Sequence, residues 1–474
     1  MKKTITAADL LAVGYKKDKI LGLALKLANE KYEELSQVEA IVLFKKVKDY
    51  PENFLDDEIL ASLASKMIEE SKIPADETIP LLEIGKAYKV YGSQHIEEGA
   101  RLQMDVAMKL PITVAGALMP DAHQGYGLPI GGVLAAKNAI IPYGVGVDIG
   151  CRMALSIYDI PDTHFEENRA KYQRELIAHT KFGAGHAFHG QYKSDHEVLQ
   201  SDDFNMSPFI RHLKDKAWAQ LGTSGGGNHF VEFGIIEFEE KDDVLNIEKG
   251  KYVALLTHSG SRGFGATVAG HYTKLAKEIT KLPKEAINLA YLDMNSGEGQ
   301  EYWIAMNLAG DYASACHEVI HKKMAKAIGA NVLAKVENHH NFAWKEIWNG
   351  EEVVVHRKGA TPAGKGVMGI IPGSMTAPGF LVRGKGAEDA INSASHGAGR
   401  QMSRTQAIKS ITKSDMREIL KDHNVTLIGA GRDEAPMAYK DINAVMASQK
   451  ELIDVVAKFI PKIVRMADDG SRED

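Results

Sequence analysis

The chain has 474 residues, of which 44% are hydrophobic and 25% charged, with a formal net charge of −6. These values exclude a disordered or collagen-like polypeptide, and no apolar run approaches the roughly 20 residues that span a bilayer. The acidic balance excludes nucleic-acid binding by bulk charge, so any such role needs a local basic patch. The only two cysteines, Cys151 and Cys316, offer no disulfide framework and point to a reducing compartment. The opening residues, Met1 to Thr6, lead into a charged amphipathic stretch rather than a signal-peptide core. A soluble, cytoplasmic protein is expected. Glycine, at 44 residues, exceeds its usual share and crowds into short motifs between residues 116 and 400.

Residues 1–84 read as a small helical extension. Thr6 followed by Asp9 resembles a helix N-cap signature, and Ile59, Leu60, Leu63, Met67 and Ile68 recur at helical spacing. The segment has no histidine and no glycine cluster, so it carries no chemistry of its own; it either packs passively or docks a protein partner. From Leu81 onward the texture changes to short β-branched runs broken by Gly and Pro. Gly131 to Ala136, Lys251 to Leu256 and Glu352 to Val355 read as buried strands. Helices are expected from Glu301 to about Ala327 and from Lys413 to about Asp422. No fixed-period repeat and no regular βαβ alternation appears, so residues 85–474 are expected to form a mixed-sheet α+β domain.

Several histidines sit in short Gly- or Asn-rich breaks after apolar runs. Asp148 and Cys151 offer a hard oxygen and a soft thiolate at short spacing. With His229, His258 and His340 they could fill the shell of Mn, Zn or Fe. Taken singly, a buried cysteine is usually a small hydrophobe; the repeated context is what raises a ligand reading. Glycine runs suggest backbone N–H groups aimed at an anion, although neither a Walker loop nor a dinucleotide fingerprint is present. His396, flanked by Gly397, Ala398, Gly399 and Arg400, has the open backbone and nearby guanidinium that a phosphoryl-accepting nucleophile requires. A different chemistry is suggested by His317-Glu318-Val-Ile-His321, which matches the H-E-x-x-H pattern of zinc peptidases but has no evident third ligand.

The segments MPDAHQGYGLPIGG, GVDIGC, GTSGGGNHFVE, HSGSRG, HHN, VHRKGA, PGSM, SHGAGR and DEAPMAYKD follow one another over about residues 85–445. On these motifs the chain resembles the RtcB family of RNA-splicing ligases. The resemblance implies an RtcB-type catalytic domain that joins RNA ends bearing a 2′,3′-cyclic phosphate or 3′-phosphate to 5′-hydroxyl ends, in RNA repair or tRNA splicing. It implies GTP and two Mn²⁺ as cofactors. Cys151 would bridge the metals, Asp148 and His229 would complete one site, and His258 and His340 the other. His396 would carry GMP as a phosphoramidate, with Asp121 orienting its ring. Asn228, His229, Phe230, Glu232, His340, Asn341, Pro372, Gly373, Ser374, Met375, Gly397, Ala398, Gly399 and Tyr439 would line the guanylate site. Arg262, Arg357, Lys358, Lys365, Arg400 and Arg404 could supply the basic patch for RNA with broken ends.

The chain also departs from the family pattern. Gly379 stands where a second serine usually follows PGSM, and the usual terminal lysine-glycine is missing. Arg465 could substitute for that lysine, with a different donor geometry. These features, with the 84 extra residues, suggest a divergent paralogue. A metal-dependent phosphohydrolase acting on RNA ends without ligation is the alternative.

Overall fold

The computed structural model describes residues 5–15, 19–32, 34–72 and 78–468. Contacts divide the chain into two units, residues 1–77 and 78–474. In the first unit the Thr6 side chain accepts from Asp9 N–H while the Asp9 carboxylate accepts from Thr6, a full capping box that starts the helix Ala7–Ala12. Ser36 and Glu39 do the same for Gln37–Asp49. Together with the helices Lys19–Lys31 and Ala61–Lys72, they bury Leu10, Ala24, Phe44, Val47 and Leu63. The last helix begins two residues later than the apolar spacing predicts. Asp57 Oδ1 accepts from the N–H groups of Ile59 (2.9 Å) and Leu60 (2.8 Å) and holds both in the preceding turn.

The second unit is organised by two sheets. The larger has the strand order Met368–Ile371, Gly379–Gly384, Ile453–Met466, Phe230–Phe238, Gly250–Ser259, Arg152–Pro161 and Val332–His339, with Thr426–Ile428 paired in parallel to Ile453–Met466. The smaller has the order Lys89–Val90, Thr113–Tyr126, Leu128–Ala136, Glu351–Lys358 and Asn341–Trp348. Neighbours pair antiparallel apart from Thr426–Ile428 and Lys89–Val90. The three buried strands expected from sequence lie inside Leu128–Ala136, Gly250–Ser259 and Glu351–Lys358. This is the expected mixed-sheet α+β class.

At one of the points where the chain passes between the two sheets, a single residue joins them. Val332–His339 is the edge strand of the larger sheet and Asn341–Trp348 that of the smaller, so His340 is the single residue between them. Against the larger sheet lies the helix Gly297–Ile328, which starts where Ser296 Oγ accepts from Gly299 N–H and stops at Gly329 in a left-handed conformation. Tyr302, Met306, Ala309, Tyr312, Cys316, Ile320 and Met324 repeat at three- and four-residue steps and are buried. Among the described residues, no helix is long and apolar enough to cross a membrane.

Each unit has its own core: one cluster gathers Ile5, Leu10, Phe44 and Leu63, whereas the others draw only on residues from Ile79 onward. A chain starting at Thr78 is therefore expected to fold cooperatively. Its thermal melt by circular dichroism should be a single transition within a few degrees of the full-length main transition; loss of that transition would show that the second unit depends on the first.

Candidate active site

Antiparallel pairing brings the start of one strand beside the end of the next, and the site exploits this at one end of the larger sheet. Four adjacent strands contribute. Cys151 precedes Arg152–Pro161, His229 precedes Phe230–Phe238, His258 is the penultimate residue of Gly250–Ser259, and His340 follows Val332–His339. The register places His258 opposite both Met153 and Phe230. Asp148 arrives from the turn after the short helix Pro142–Val145. Cys151 Sγ lies 3.5 Å from His229 Nε2 and 3.2 Å from His258 Nε2, and His258 Nε2 lies 3.2 Å from His340 Nε2. His229 Nε2 is 3.0 Å from Asp148 Oδ2. Two donor triads result, Asp148–Cys151–His229 and Cys151–His258–His340, and the thiol is common to both. Each triad could hold a metal ion.

The surroundings fix the orientation of these donors. Asn228 O lies 3.1 Å from His258 Nδ1, which makes that nitrogen the donor and leaves the Nε2 lone pair facing Sγ. Arg262 Nη2 lies 3.1 Å from His229 Nδ1, so without a metal His229 Nε2–H donates to Asp148. Arg262 itself is buried and has φ +54, a backbone that costs a non-glycine residue about 1–2 kcal/mol. Burial pushes the His258 and His340 rings well below their ordinary values, each assisted by neighbouring histidines. Burial and the Asp148 charge push the Cys151 thiol up. Burial opposes ionisation of Asp148, but the His229 hydrogen bond and the His229 and Arg262 charges hold it down at about 2. A β-carbon at Gly260 would stand 2.1 Å from Asp148 Oδ1, so only glycine leaves room for this carboxylate.

His396 reaches the cluster from a separate ladder, in which Ser393–Ser395 pairs with Ala360–Pro362. Its ring centroid is 4.9 Å from that of His340. Asp121 Oδ2 is 2.6 Å from His396 Nδ1 and also accepts from the backbone N–H of His396 (3.1 Å) and Gly397 (3.3 Å). Asp121 can reach this point because the hairpin register shifts between Leu118 and His123. The carboxylate is fully buried; burial raises it, but His396 and Lys440 bring it below its ordinary value. Lys440, in DEAPMAYKD, also donates to Ala122 O (2.6 Å).

A cavity of about 750 Å³, the size of a small-ligand site, opens over this centre. It is lined by all the residues expected at the guanylate site, by His396 and by the five metal-type donors, while Asp121 lies behind the His396 ring. Burial pushes the Glu232 carboxyl well above its ordinary value. Tyr439 Oη donates to the buried Glu434 carboxylate, which also pairs with Arg400 (3.3 Å) and Arg404. Glu434 belongs to a quoted motif, yet nothing in its spacing marks it as the common acceptor. Some groups are already committed: the Gly397 N–H serves Asp121, Asn341 Oδ1 accepts from Gly359 N–H, and Ser374 Oγ accepts from Ala377 N–H.

Three expectations are corrected. Arg465 lines no part of the cavity; its Nη1 donates to Leu176 O (2.8 Å), Ile177 O (2.6 Å) and Thr180 Oγ1 (2.9 Å), capping the C-terminal end of the helix Arg169–His179. The six basic residues do not form one open patch. Arg357 is buried and bidentate to Glu346, Arg262 serves His229, Arg400 and Arg404 pair with Glu434, and Lys365 is exposed away from the cavity. Lys358, Arg400 and Arg404 do line the cavity, and burial pushes the Lys358 ammonium down to about 7.

The H-E-x-x-H motif does lie on a helix, but its rings bind hydroxyls. His317 contacts Thr257 Oγ1 (2.5 Å) and Ser259 O (3.1 Å); His321 contacts Thr257 Oγ1 (2.8 Å) and Ser156 Oγ (2.6 Å). Glu318 points to the surface beside His196. With both nitrogens of each ring used, the pair is a buried clamp between helix and sheet. His321→Ala is expected to leave metal content, measured by elemental analysis, unchanged. It should cost about 1–3 kcal/mol of stability in denaturant unfolding, because two buried hydroxyls lose a partner.

A family model described as tRNA-splicing ligase RtcB matches residues 103–467, a span holding Asp121, both triads, His396 and Tyr439. The RNA-splicing ligase RtcB of Escherichia coli strain K12 is 34% identical over 402 residues, covering 76% of this chain and 92% of its own. The tRNA-splicing ligases RtcB of Nanoarchaeum equitans and Thermococcus kodakarensis are 29% and 28% identical, over 76% and 75% of this chain and 90% and 88% of theirs. The chain belongs to the RtcB ligase family and is an enzyme of that class.

Proposed function

We propose that this enzyme is a GTP- and Mn²⁺-dependent RNA ligase that joins 2′,3′-cyclic phosphate or 3′-phosphate ends to 5′-hydroxyl ends through a guanylylated His396. The observation that carries the reading is the Asp121–His396 couple at 2.6 Å, packed ring to ring against His340 of a two-triad donor cluster. Asp121 accepts from Nδ1–H, so Nε2 keeps its lone pair, as a nitrogen nucleophile must. Attack by Nε2 on the α-phosphorus of GTP forms a P–N bond as the P–O bond to pyrophosphate breaks. The developing imidazolium keeps its Nδ1 proton, stabilised by the Asp121 carboxylate.

The donor chemistry fits borderline divalent cations. Buried neutral imidazoles, one carboxylate and one shareable thiol suit Mn²⁺ better than Mg²⁺, and a cation is what would favour the Cys151 thiolate that burial opposes. Asp148, Cys151 and His229 would hold one ion and Cys151, His258 and His340 the other, supplying positive charge to the triphosphate and transferred phosphoryl. Phe230, Met375 and Tyr439 would pack the guanosine, with Asn228, Asn341, the Pro372 to Met375 turn, Ala398 and Gly399 along the phosphate path. Glu232 would face the base edge, where a buried carboxyl discriminates by the hydrogen bonds it leaves unmade with the wrong base.

The test uses GTP labelled at the α-phosphate, with Mn²⁺ and without RNA. The expected product is an acid-labile, alkali-stable adduct that mass spectrometry places on His396. His396→Ala should lose both the adduct and RNA joining while keeping its metal. Asp121→Ala should slow adduct formation roughly 10²–10⁴-fold. GMP on a lysine, or joining by His396→Ala, overturns the assignment of His396, whereas no adduct and no joining with cleavage at RNA ends favours the hydrolase.

Two further outcomes are expected. Cys151→Ala should lose both metals together in elemental analysis, since one sulfur serves both triads; retention of two ions would refute the shared ligand. Glu232→Gln should lower the preference for GTP over ATP in adduct formation at least tenfold without changing metal content.

A further inference from the structure

The cavity has a second lobe that the guanylate reading does not use. The nucleotide residues come from the larger sheet and the segments beside it: Phe230 and Glu232 from one strand, Met375 and Tyr439 from adjoining turns. From the smaller sheet the tip of the hairpin Thr113–Tyr126/Leu128–Ala136 contributes Tyr126 and the end of Glu351–Lys358 contributes Lys358, and the helix Pro142–Val145 adds Tyr143 to the same cavity. His396 lines the same cavity. Gly359, next to Lys358, lies so close to its ring that a β-carbon there would stand 3.2 Å from His396 Cε1.

This part of the cavity sets an exposed aromatic ring beside a lysine amine. Tyr126 is 68% exposed although it borders the cavity, and its ring centroid is 6.4 Å from that of Tyr143 with the planes tilted by 46°. Lys358 Nζ donates to Tyr126 O (2.7 Å) and Tyr143 O (3.2 Å) and stands 4.7 Å from the Tyr143 ring centroid. Lys277 Nζ stands 5.7 Å from the same ring. The hairpin tip is fixed: Gly125 N–H donates to Gln103 Oε1 (3.0 Å) and Gln103 Nε2 donates to Gly125 O (2.6 Å). An exposed ring on a pinned backbone, beside the Lys358 amine in a cavity shared with His396, is an arrangement that stacks a base and receives its phosphate. A single exposed tyrosine elsewhere on the surface would mean nothing.

We infer that Tyr126 is the stacking platform for the terminal base of the RNA end presented to His396, with the terminal phosphate on the Lys358 side. The inference rests on the proposed guanylylation of His396, and its test separates the two. Adduct formation needs no RNA, whereas joining needs both substrates.

Adduct formation by Tyr126→Ala, Tyr126→Phe and the unaltered chain is measured without RNA, and joining kcat/KM with short RNAs. Tyr126→Ala should form the adduct at the unaltered rate and lose roughly 5- to 100-fold in joining, mainly through KM, the range that loss of one base–aromatic stack produces. Tyr126→Phe should join normally. RNA carrying 2-aminopurine at the 3′-phosphate end in one arm and at the 5′-hydroxyl end in the other shows which end stacks, because quenching on binding should vanish in Tyr126→Ala for that end alone. Unchanged joining and quenching in Tyr126→Ala, or an equal loss in RNA-free adduct formation, overturns the inference. Absence of any adduct in the unaltered chain overturns the guanylylation reading instead.

Discussion

The sulfur of Cys151 is the constraint around which the second unit is arranged. Two donor triads meet on this one buried atom, and the donors stand 3.0–3.5 Å apart with no counter-charge among them except Asp148. Burial drives His258 and His340 toward neutrality and Cys151 toward its protonated form. Buried polar groups without compensation destabilise a fold, and here they are concentrated. The structure offsets this through a surrounding shell: Asn228 O fixes His258, Arg262 balances Asp148 and His229, and Gly260 gives up its side chain to leave the carboxylate space. The left-handed Arg262 shows how far the backbone is bent to keep that shell in place.

A cluster so tightly spaced needs a rigid support. Four neighbouring antiparallel strands provide it, since every donor but Asp148 sits on or next to a strand end at the same side of one sheet. His340 has a second duty as the one-residue passage from the larger sheet to the smaller. Any shift of one sheet against the other would therefore move a donor. His396 and Asp121 come from elements tied to the smaller sheet, so His396 and the donor cluster are registered through that passage and through the contact of Ala360 N–H with His340 O (3.3 Å). The site is a joint between layers, and the cavity opens along it.

The parts of this arrangement that were legible in the sequence share a local cause. Strands such as Glu351–Lys358 and helices such as Lys413–Asp422 follow from composition and capping within a dozen residues. The Thr6–Asp9 box is local in the same sense. The site was legible through its motifs, because each donor lies in a Gly- or Asn-rich break that ordinary packing does not demand. What stayed hidden depends on pairings across hundreds of residues. His317 and His321 have helical ligand spacing, but the hydroxyls of Ser156 and Thr257 that occupy them come from two strands far away in sequence. Arg357 reads as a surface cation until Glu346, its cross-hairpin partner, is seen beside it.

The departures at Gly379 and Arg465 have a physical consequence. Gly379 has no left-handed backbone, and a β-carbon there would meet Pro372 Cα at an ordinary 3.5 Å. Neither conformation nor crowding requires glycine, so the cavity wall lacks a hydroxyl that it has room to carry. Arg465 is likewise withdrawn, since three carbonyls and Thr180 Oγ1 hold its guanidinium on a helix end. On the proposed reading, polar recognition of the base would fall foremost to the buried Glu232, with Phe230 and Met375 supplying apolar contact. The donor cluster and the Asp121–His396 couple show no matching loss: Asp121 and His396, and the members of both triads, keep contacts at hydrogen-bonding distance. On the proposed reading, divergence in this chain would therefore bear on what the site distinguishes and spare the groups proposed for phosphoryl chemistry.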